Sequence, residues 1–337
     1  MATADAPRLE ERKRAPRNRT LAADPAEVGH LRSRLLAVGA IATDNFVDRT
    51  ILGDCFEVFG KLPRQSIDLL ILDPPYNLSK RFGGRTFSRV SVNEYTDWLR
   101  ELFNAVKPLL RPTASVYICG DWLSSVSIFT AASEYFEVRS RITWEREKGR
   151  GALSNWKNAS EDVWFCTVSD AYAFNVDAVK VRRRVLAPYR NSEGDPKDWL
   201  ETRTGNFRDT HPSNLWTDIT IPFWSMPENT DHPAQKSEKF MAKLILASSN
   251  PDSLVFDPFL GSGTTSVVAK KLGRRFCGVE CEESYALLAE KRLSLADSDH
   301  KIQGYQDRVF WERNTLNLMN GTATSARGEG LLLPFDE

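Results

Sequence analysis

An apolar segment in the first quarter of the chain limits the fold more than any other feature. Ser66 to Asp73, with the sequence SIDLLILD, is an almost continuous apolar run that ends in a carboxylate. A strand covered on both faces has this composition, whereas a strand with one wet face alternates apolar and polar residues. The segment therefore predicts a sheet that is buried on both sides.

Strand-like and helix-like patterns alternate along most of the remaining chain. Ser91 and Glu94 form a capping-box pattern, which opens a helix whose apolar residues recur from Trp98 to Leu110. Because such alternation is typical of parallel sheets, we expect an α/β fold with a doubly wound, mostly parallel sheet. Further strands are expected at Arg49–Gly53, Ser115–Cys119, Arg139–Trp144, Asp162–Thr167, Ser253–Asp257 and Phe276–Glu280, and further helices at Ser237–Ser249, Thr264–Leu272 and Glu283–Leu295.

Composition excludes several classes of protein. Forty-five basic and 45 acidic residues cancel, so bulk charge predicts no partner. The five cysteines are scattered without CxxC spacing, which indicates neither a disulfide framework nor a metal site. No apolar stretch approaches the length of a membrane span, and the charged N-terminus does not resemble a signal peptide. We expect no membrane association and a cytoplasmic location.

The first chemical motif, Asp73-Pro74-Pro75-Tyr76-Asn77, follows the apolar strand directly. Ligands of open parallel sheets lie beyond the carboxyl ends of the strands, so the motif predicts a site there. The two prolines remove N–H donors and leave carbonyls free to accept. An exocyclic amine, which is a weak nucleophile, could be held by Asp73 and the Pro74 carbonyl, with the ring of Tyr76 stacked on an extruded base.

The second motif runs from Asp257 to Thr265 (DPFLGSGTT), between a predicted strand and a predicted helix. Its glycines let the backbone approach a ligand, and the helix N-terminus favours an anionic group. Glu280 ends the next predicted strand and is suited to bind ribose hydroxyls. Neither the Walker pattern nor the full dinucleotide fingerprint is present.

Together these motifs resemble the amino-methyltransferases of bacterial restriction–modification systems, which modify N6 of adenine or N4 of cytosine. The order, with DPPYN early and FLGSGTT late, resembles the circularly permuted β group. His232 to Lys236 (HPAQK) is similar to the family's HPTQKP block, and Gly53 to Cys55 is similar to its early element near the cofactor adenine. Ala234 and Ser237 depart from that block, where Thr and Pro are usual.

The resemblance implies a class I S-adenosylmethionine-dependent methyltransferase fold, with S-adenosyl-L-methionine (SAM) as cofactor. It further implies methyl transfer to N6 of adenine in double-stranded DNA, by direct in-line attack after base flipping. The implied catalytic residues are Asp73, Pro74, Pro75 and Tyr76. The implied cofactor-binding residues are Asp54, Cys55, Asp73, His232, Lys236, Asp257, Phe259, Gly261, Ser262, Gly263, Thr264 and Glu280.

The resemblance also divides the chain. Residues 1–45 are expected to be a basic, partly disordered extension with a short helix, 46–177 the catalytic half, 178–231 an inserted target-recognition region, 232–296 the cofactor-binding half, and 297–337 a C-terminal extension. Ala178 to Arg208 holds eight basic and four acidic residues, and its run Arg182, Arg183 and Arg184 is suited to phosphate contacts. A cognate restriction endonuclease and a homodimer are further partners that this family suggests.

Other functions stay open at this point. N4 of cytosine poses the same chemical problem as N6 of adenine, although in the family Asp at the head of the motif is commoner for adenine. RNA or protein amide methyltransferases usually carry Asn-Pro-Pro and place the cofactor loop first. A DNA-binding protein with an inactive cofactor site is a non-enzymatic alternative. Methylation of cytosine C5 needs a thiolate, typically after proline, and no cysteine here follows a proline.

Overall fold

The computed structural model describes residues 15–82, 85–146, 154–185, 189–202 and 205–313. Its strands are β1 (Leu36–Ala37), β2 (Arg49–Leu52), β3 (Ile67–Leu72), β4 (Lys80–Phe82), β5 (Arg85–Phe87), β6 (Leu110–Gly120), β7 (Glu137–Glu145), β8 (Ser160–Thr167), β9 (Val181–Arg184), β10 (Leu200–Thr202), β11 (Gly205–Thr210), β12 (Leu215–Trp216), β13 (Leu254–Asp257), β14 (Arg275–Glu280), β15 (Tyr305–Gln306) and β16 (Val309–Trp311). Its α-helices are α1 (Val28–Arg34), α2 (Cys55–Phe59), α3 (Val92–Val106), α4 (Ser125–Tyr135), α5 (Glu238–Ser248), α6 (Thr264–Lys271) and α7 (Glu283–Leu295).

A nine-stranded sheet forms the body of the protein, in the order β1-β2-β14-β13-β3-β6-β8-β7-β12. Its first six strands are mutually parallel, and β8 runs antiparallel to both of its neighbours. The α/β fold with a mostly parallel sheet is therefore confirmed. The strands and helices expected from the sequence lie within a few residues of their predicted ends, β6 being longer at its start.

Strand β3 shows why the apolar run was informative. Leu70 and Leu72 pack into the hydrophobic cluster that contains α3 and α4 residues, while Leu69 and Ile71 pack into the cluster that contains α5 and α6 residues. All four side chains are fully buried. Alternate side chains of a strand point to opposite faces, so helices on both sides require apolar residues at every position.

The capping box opens α3 as predicted. The Ser91 hydroxyl accepts the Glu94 amide, and the Glu94 carboxylate accepts the Ser91 amide. This reciprocal pair satisfies donors that the first turn leaves unpaired. The helix then buries one stripe of side chains, including Leu99, Leu102 and Phe103, against the sheet.

A second, five-stranded sheet has the order β10-β11-β9-β16-β15. Three of its strands come from residues 178–231, whose sequence shows no clear periodicity, and two come from residues 297–313. The insertion and the start of the C-terminal extension therefore share one sheet. Within the insertion, β12 belongs to the nine-stranded sheet instead, where Trp216 pairs with Trp144 of β7.

The N-terminal segment is attached to the body from Arg19 onward, whose amide donates to the Trp224 carbonyl at 2.6 Å. Helix α1 packs on α7, with ion pairs from Arg32 to Glu283 and from Arg34 to Glu290. Leu21 forms an isolated parallel bridge to Thr230. The predicted short helix is thus present as α1, and residues 1–14 lie outside the described part. Among the described residues, none of the helices has the length and apolarity needed to cross a bilayer.

Candidate active site

The carboxyl ends of three adjacent parallel strands carry acidic residues. Asp73 follows β3, Asp257 ends β13 and Glu280 ends β14, and these strands are neighbours in the sheet. A cavity of about 500 Å³ opens at this edge. Its volume is within the range of pockets that hold drug-sized ligands.

The cavity brings residues of both chemical motifs together. Its walls include Gly53, Asp54, Cys55, Phe56, Asp73, Pro74, Pro75, Tyr76, Trp98, Asp121, Trp144, Arg146, Asn158, Glu161, Ile221, His232, Pro233, Ala234, Gln235, Lys236, Phe259, Gly261, Glu280 and Tyr285. The four implied catalytic residues all line it, as do seven of the implied cofactor-binding residues besides Asp73 (Asp54, Cys55, His232, Lys236, Phe259, Gly261 and Glu280).

Asp73 lies in a charged corner of the cavity. The Lys236 ammonium donates to both carboxylate oxygens, at 2.9 and 2.7 Å, and the Tyr76 hydroxyl donates to Oδ1 at 2.9 Å. Burial, together with the carboxylate of Asp73, raises the pKa of Tyr76 well above its usual range, so the phenol keeps its proton. Asp73 is therefore held in one orientation from two sides.

Glu161 and Arg146 complete this corner, although no sequence motif indicated either residue. The Glu161 carboxylate lies 3.4 Å from the Tyr76 hydroxyl and 3.5 Å from Lys236 Nζ, and it pairs with the Arg146 guanidinium. Both belong to the β7–β8 hairpin region, which has no recognisable motif. The one available signal was a charged residue in an otherwise apolar strand pattern near residue 161.

The two prolines of the motif differ in their carbonyl partners. The Tyr95 hydroxyl donates to the Pro75 carbonyl at 3.0 Å. In the described part of the chain, no donor forms a hydrogen bond to the Pro74 carbonyl. Pro74 thus offers an unused acceptor next to Asp73, as a bound amine would require.

The glycine loop follows β13, the strand beside β3, and forms a further part of the cavity wall. Gly261 has φ +56°, and a Cβ there would lie 3.0 Å from the His232 ring, so the loop can hold only glycine without strain. Its amide donates to Glu280 Oε2 at 2.8 Å, and the Glu282 amide donates to Oε1 at 2.8 Å. Burial raises the pKa of Glu280. Oε1 also accepts the Cys281 thiol at 3.6 Å, whereas Oε2 can still accept a further donor.

Other residues of the glycine loop stabilise it by hydrogen bonds and packing. Asp257 accepts the Phe259 amide and the Thr265 hydroxyl, at 2.9 and 2.6 Å, and burial raises its pKa to about 7. Asp257, Ser262 and Thr264 line a smaller neighbouring cavity. Gly263 lines neither cavity; a Cβ there would lie 2.6 Å from that of Ala289, so this glycine allows the loop to pack on α7.

The early element lies at the far end of the cavity. The Asp54 side chain caps α2 by accepting the Phe56 amide at 3.0 Å. Cys55 is buried, and this burial raises the pKa of its thiol to about 12, so it is an inert wall residue. Phe56 is 39% exposed and also lines the cavity, where it offers an apolar surface.

The three arginines predicted to contact phosphate lie on β9 of the second sheet, outside the cavity. Arg182 forms a two-point ion pair with Asp209, at 2.7 Å for both contacts, and lies over the Trp311 ring. Arg183 is 3.6 Å from Glu312, and Arg184 is exposed. The structure thus gives Arg182 a structural partner that the sequence did not reveal.

Known DNA methyltransferases are similar to this chain. A model of the N6/N4 methyltransferase family, described as DNA methylase, matches residues 67–291. The DNA adenine methyltransferase YhdJ of Escherichia coli K12 is 33% identical over 257 residues, which are 74% of this chain and 83% of that protein. The type II methyltransferase M.HpaI of Haemophilus parainfluenzae is 30% identical over 250 residues, covering 73% and 74% of the two chains.

The chain belongs to the N6/N4 DNA methylase family. Among solved structures, the M1.HpyAVI–SAM complex has a TM-score of 0.50 and 25% identity, covering 72% of this chain and 98% of that one. The cytosine-N4-specific PvuII DNA methyltransferase has a TM-score of 0.53 and 18% identity, covering 74% and 90%, and shows the shared fold.

SAM is the methyl donor of this family, and the residues of the cavity fit it. Glu280 has acceptor capacity for ribose hydroxyls, Gly261 leaves room where a Cβ would meet His232, and Phe56 supplies an apolar face for an adenine ring. These residues would hold the cofactor between the loop after β13 and the start of α2. Asp73 and Tyr76 lie in the same cavity, so the methyl acceptor can be bound beside the donor.

Proposed function

We propose that the chain methylates N6 of adenine in double-stranded DNA. One observation carries the proposal: a braced carboxylate, Asp73, and a free carbonyl, that of Pro74, adjoin each other in the cavity that also holds the glycine loop and Glu280. When bound, SAM supplies an electrophilic methyl group on a sulfonium. The chain's own residues must then present an amine to it.

An exocyclic amine is a poor nucleophile because its lone pair is delocalised into the base. Hydrogen bonds from its two N–H groups to Asp73 Oδ2 and the Pro74 carbonyl would hold the nitrogen and favour a tetrahedral geometry. Oδ2 accepts one bond from Lys236 and retains capacity for another. After transfer, the surplus proton of the amine passes to a carboxylate of this corner or to water.

The base must leave the duplex to reach this cavity, because pairing hides the amino nitrogen. Tyr76 supplies a half-buried ring in the cavity wall against which an extruded base could stack. Extrusion predicts tighter binding to DNA whose target base is mismatched, since the cost of unpairing, a few kcal/mol, is then partly removed. Equal affinity for matched and mismatched targets would contradict base flipping.

Adenine is favoured over cytosine by the relatives rather than by pocket chemistry. YhdJ is named as a DNA adenine methyltransferase, and Asp at the head of the motif points the same way by family resemblance. A cytoplasmic location, a homodimer and a cognate restriction endonuclease belong to the same proposal as expectations. The conclusion on the base is thus separable from the conclusion on the mechanism.

Nucleoside mass spectrometry tests the proposal. Genomic DNA from a host that lacks this chain is incubated with the purified protein and SAM, then digested and analysed. N6-methyladenine is the expected product, and the Asp73→Ala variant serves as the control. N4-methylcytosine as the sole product would overturn the choice of base, and 5-methylcytosine would overturn the mechanism as well.

A further inference from the structure

Lys236 connects the two halves of the active site. It is the last residue of the His232–Lys236 block, which precedes the glycine loop, yet its ammonium reaches Asp73, which lies 163 residues earlier in the sequence. Its side chain is 7% exposed. Although burial opposes its charge, the Asp73 and Glu161 carboxylates raise the pKa of Lys236 above its ordinary value. The group is therefore a buried ammonium among carboxylates.

All three N–H donors of this ammonium have acceptors inside the protein. Two contact Asp73 Oδ1 and Oδ2, and the third contacts the Tyr76 hydroxyl oxygen at 3.2 Å. An ammonium has no further donor to offer a cofactor carboxylate. This geometry differs from the sequence interpretation, in which Lys236 was one of the cofactor-binding residues.

We infer that Lys236 is a positioning residue for methyl transfer, which acts by fixing the Asp73 carboxylate so that Oδ2 meets the target amine. The inference rests on the proposed function of the site. The Glu161 carboxylate lies 3.5 Å from Lys236 Nζ and 3.4 Å from the Tyr76 hydroxyl, so the ammonium has a second carboxylate partner besides Asp73. Lys236 touches neither the amine nor the methyl group in this assignment, and its effect passes through Asp73.

The experiment measures two quantities on the full-length chain. One is the single-turnover rate of methyl transfer from saturating tritiated SAM to genomic DNA of a host that lacks this chain. The other is the affinity for SAM by calorimetry in the absence of DNA. Lys236→Met is expected to lower the rate on the order of 10²-fold, the scale of a small displacement of a reacting group. SAM affinity is expected to change less than threefold.

Lys271→Met is the matched control. Lys271 is also a nearly buried lysine with a carboxylate partner, Glu238, at the same 2.7 Å separation, but it lies on α6 outside the cavity. It reports what the loss of any buried ion pair costs. We expect a loss of thermal stability with the transfer rate within threefold of wild type. Lys236→Gln, which keeps one donor for Asp73, replaces Lys236→Met if that variant does not fold.

A double variant tests whether Lys236 acts through Asp73. In an Asp73→Ala background, Lys236→Met should lower the transfer rate less than threefold further, because residues that act as a unit are not additive. Full additivity would overturn the inference. The inference would also be overturned if Lys236→Met lowered SAM affinity tenfold or more while the rate at saturating SAM was preserved. That result would identify Lys236 as a cofactor ligand. Equal rate losses in Lys236→Met and Lys271→Met would also overturn it. If the wild-type chain forms no methylated DNA, the proposed function is refuted. The calorimetric measurement of SAM affinity needs no DNA and still tests whether Lys236 binds the cofactor.

Discussion

The two sheets place their charged side chains in opposite ways. At the carboxyl edge of the nine-stranded sheet, Lys236, Glu161 and Asp73 are mostly buried and fix each other's positions. On the five-stranded sheet, Arg183 and Arg184 are substantially exposed on a short strand. Buried charges must be paired and hydrogen-bonded, whereas exposed charges are screened and keep their freedom. The first region is built for fixed geometry, whereas the second, apart from Arg182 in its pair with Asp209, offers charge without fixed geometry.

The difference predicts that one substitution in the first region has a larger effect than several in the second. Asp73→Ala removes the acceptor for the target amine, and loss of one preorganised group in a dry site costs on the order of 10²–10³ in rate. Cofactor affinity should fall much less. Single-turnover rates and calorimetry measure the two effects separately. A rate within tenfold of wild type would remove Asp73 from the mechanism.

Glu280→Ala, at the cofactor wall of the same sheet edge, should have the next largest effect. Its carboxylate accepts the Gly261 amide, so the variant loses both a ribose acceptor and a brace for the glycine loop. SAM affinity should fall by about 1.5–3 kcal/mol, the scale of hydrogen bonds to a charged group. DNA binding without cofactor should persist, as measured by fluorescence anisotropy. A folded variant with unchanged SAM affinity would contradict the assignment.

Local sequence predicted the nine-stranded sheet and its motif residues well because each signal was short-range. The apolar run of β3, the capping box at Ser91 and the glycine loop each lie within a few residues. The partners across the cavity are not encoded this way. The Lys236–Asp73 and Glu161–Tyr76 contacts join residues 163 and 85 positions apart, and only the strand order brings them together.

The second sheet was missed for a related reason. Its strands are short, and β16 pairs with β9 across more than a hundred residues, without a turn motif to signal the pairing. The charge of Arg182–Arg184 was visible in the sequence, but the partner of Arg182 was not, because Asp209 reaches it through antiparallel pairing of β11 and β9. Composition shows how much charge is present and not which charges are free.

A buried lysine, whose titration should be measurable, lies where the two sheets pack against each other. Lys243 pairs with Asp218 at 2.6 Å and lies over the rings of Trp216 and Phe310. Burial lowers its pKa to about 8, from an ordinary value of 10.5. Between these values the unfolded chain binds more protons, so this group's contribution to stability rises with pH and is lost as pH falls through 8.

The difference in free energy of unfolding between wild type and Lys243→Met should therefore increase from pH 8 to 10.5. Its slope is at most about 1.4 kcal/mol per pH unit. Denaturant titrations across this range measure it, and the difference between the two proteins cancels the groups that titrate there without contacting Asp218. If the difference in free energy of unfolding between wild type and Lys243→Met did not change with pH, the pKa of Lys243 would not be lowered by its burial between the two sheets.

The smallest effects are expected on the second sheet, and they separate Arg184 from Arg182. If Arg184 contacts a phosphate, Arg184→Ala should weaken binding to every DNA sequence alike and reduce the log–log salt slope by about 0.9. Arg182→Ala should leave that slope unchanged, because its guanidinium is already paired with Asp209, and should instead lower thermal stability by leaving Asp209 without its partner. Anisotropy titrations at several salt concentrations, with thermal melts of the same variants, distinguish the two.

A reduced slope in Arg182→Ala would show that DNA displaces Asp209. An unchanged slope in Arg184→Ala would place β9 outside the DNA interface, and the contrast between the two sheets would then concern stability alone.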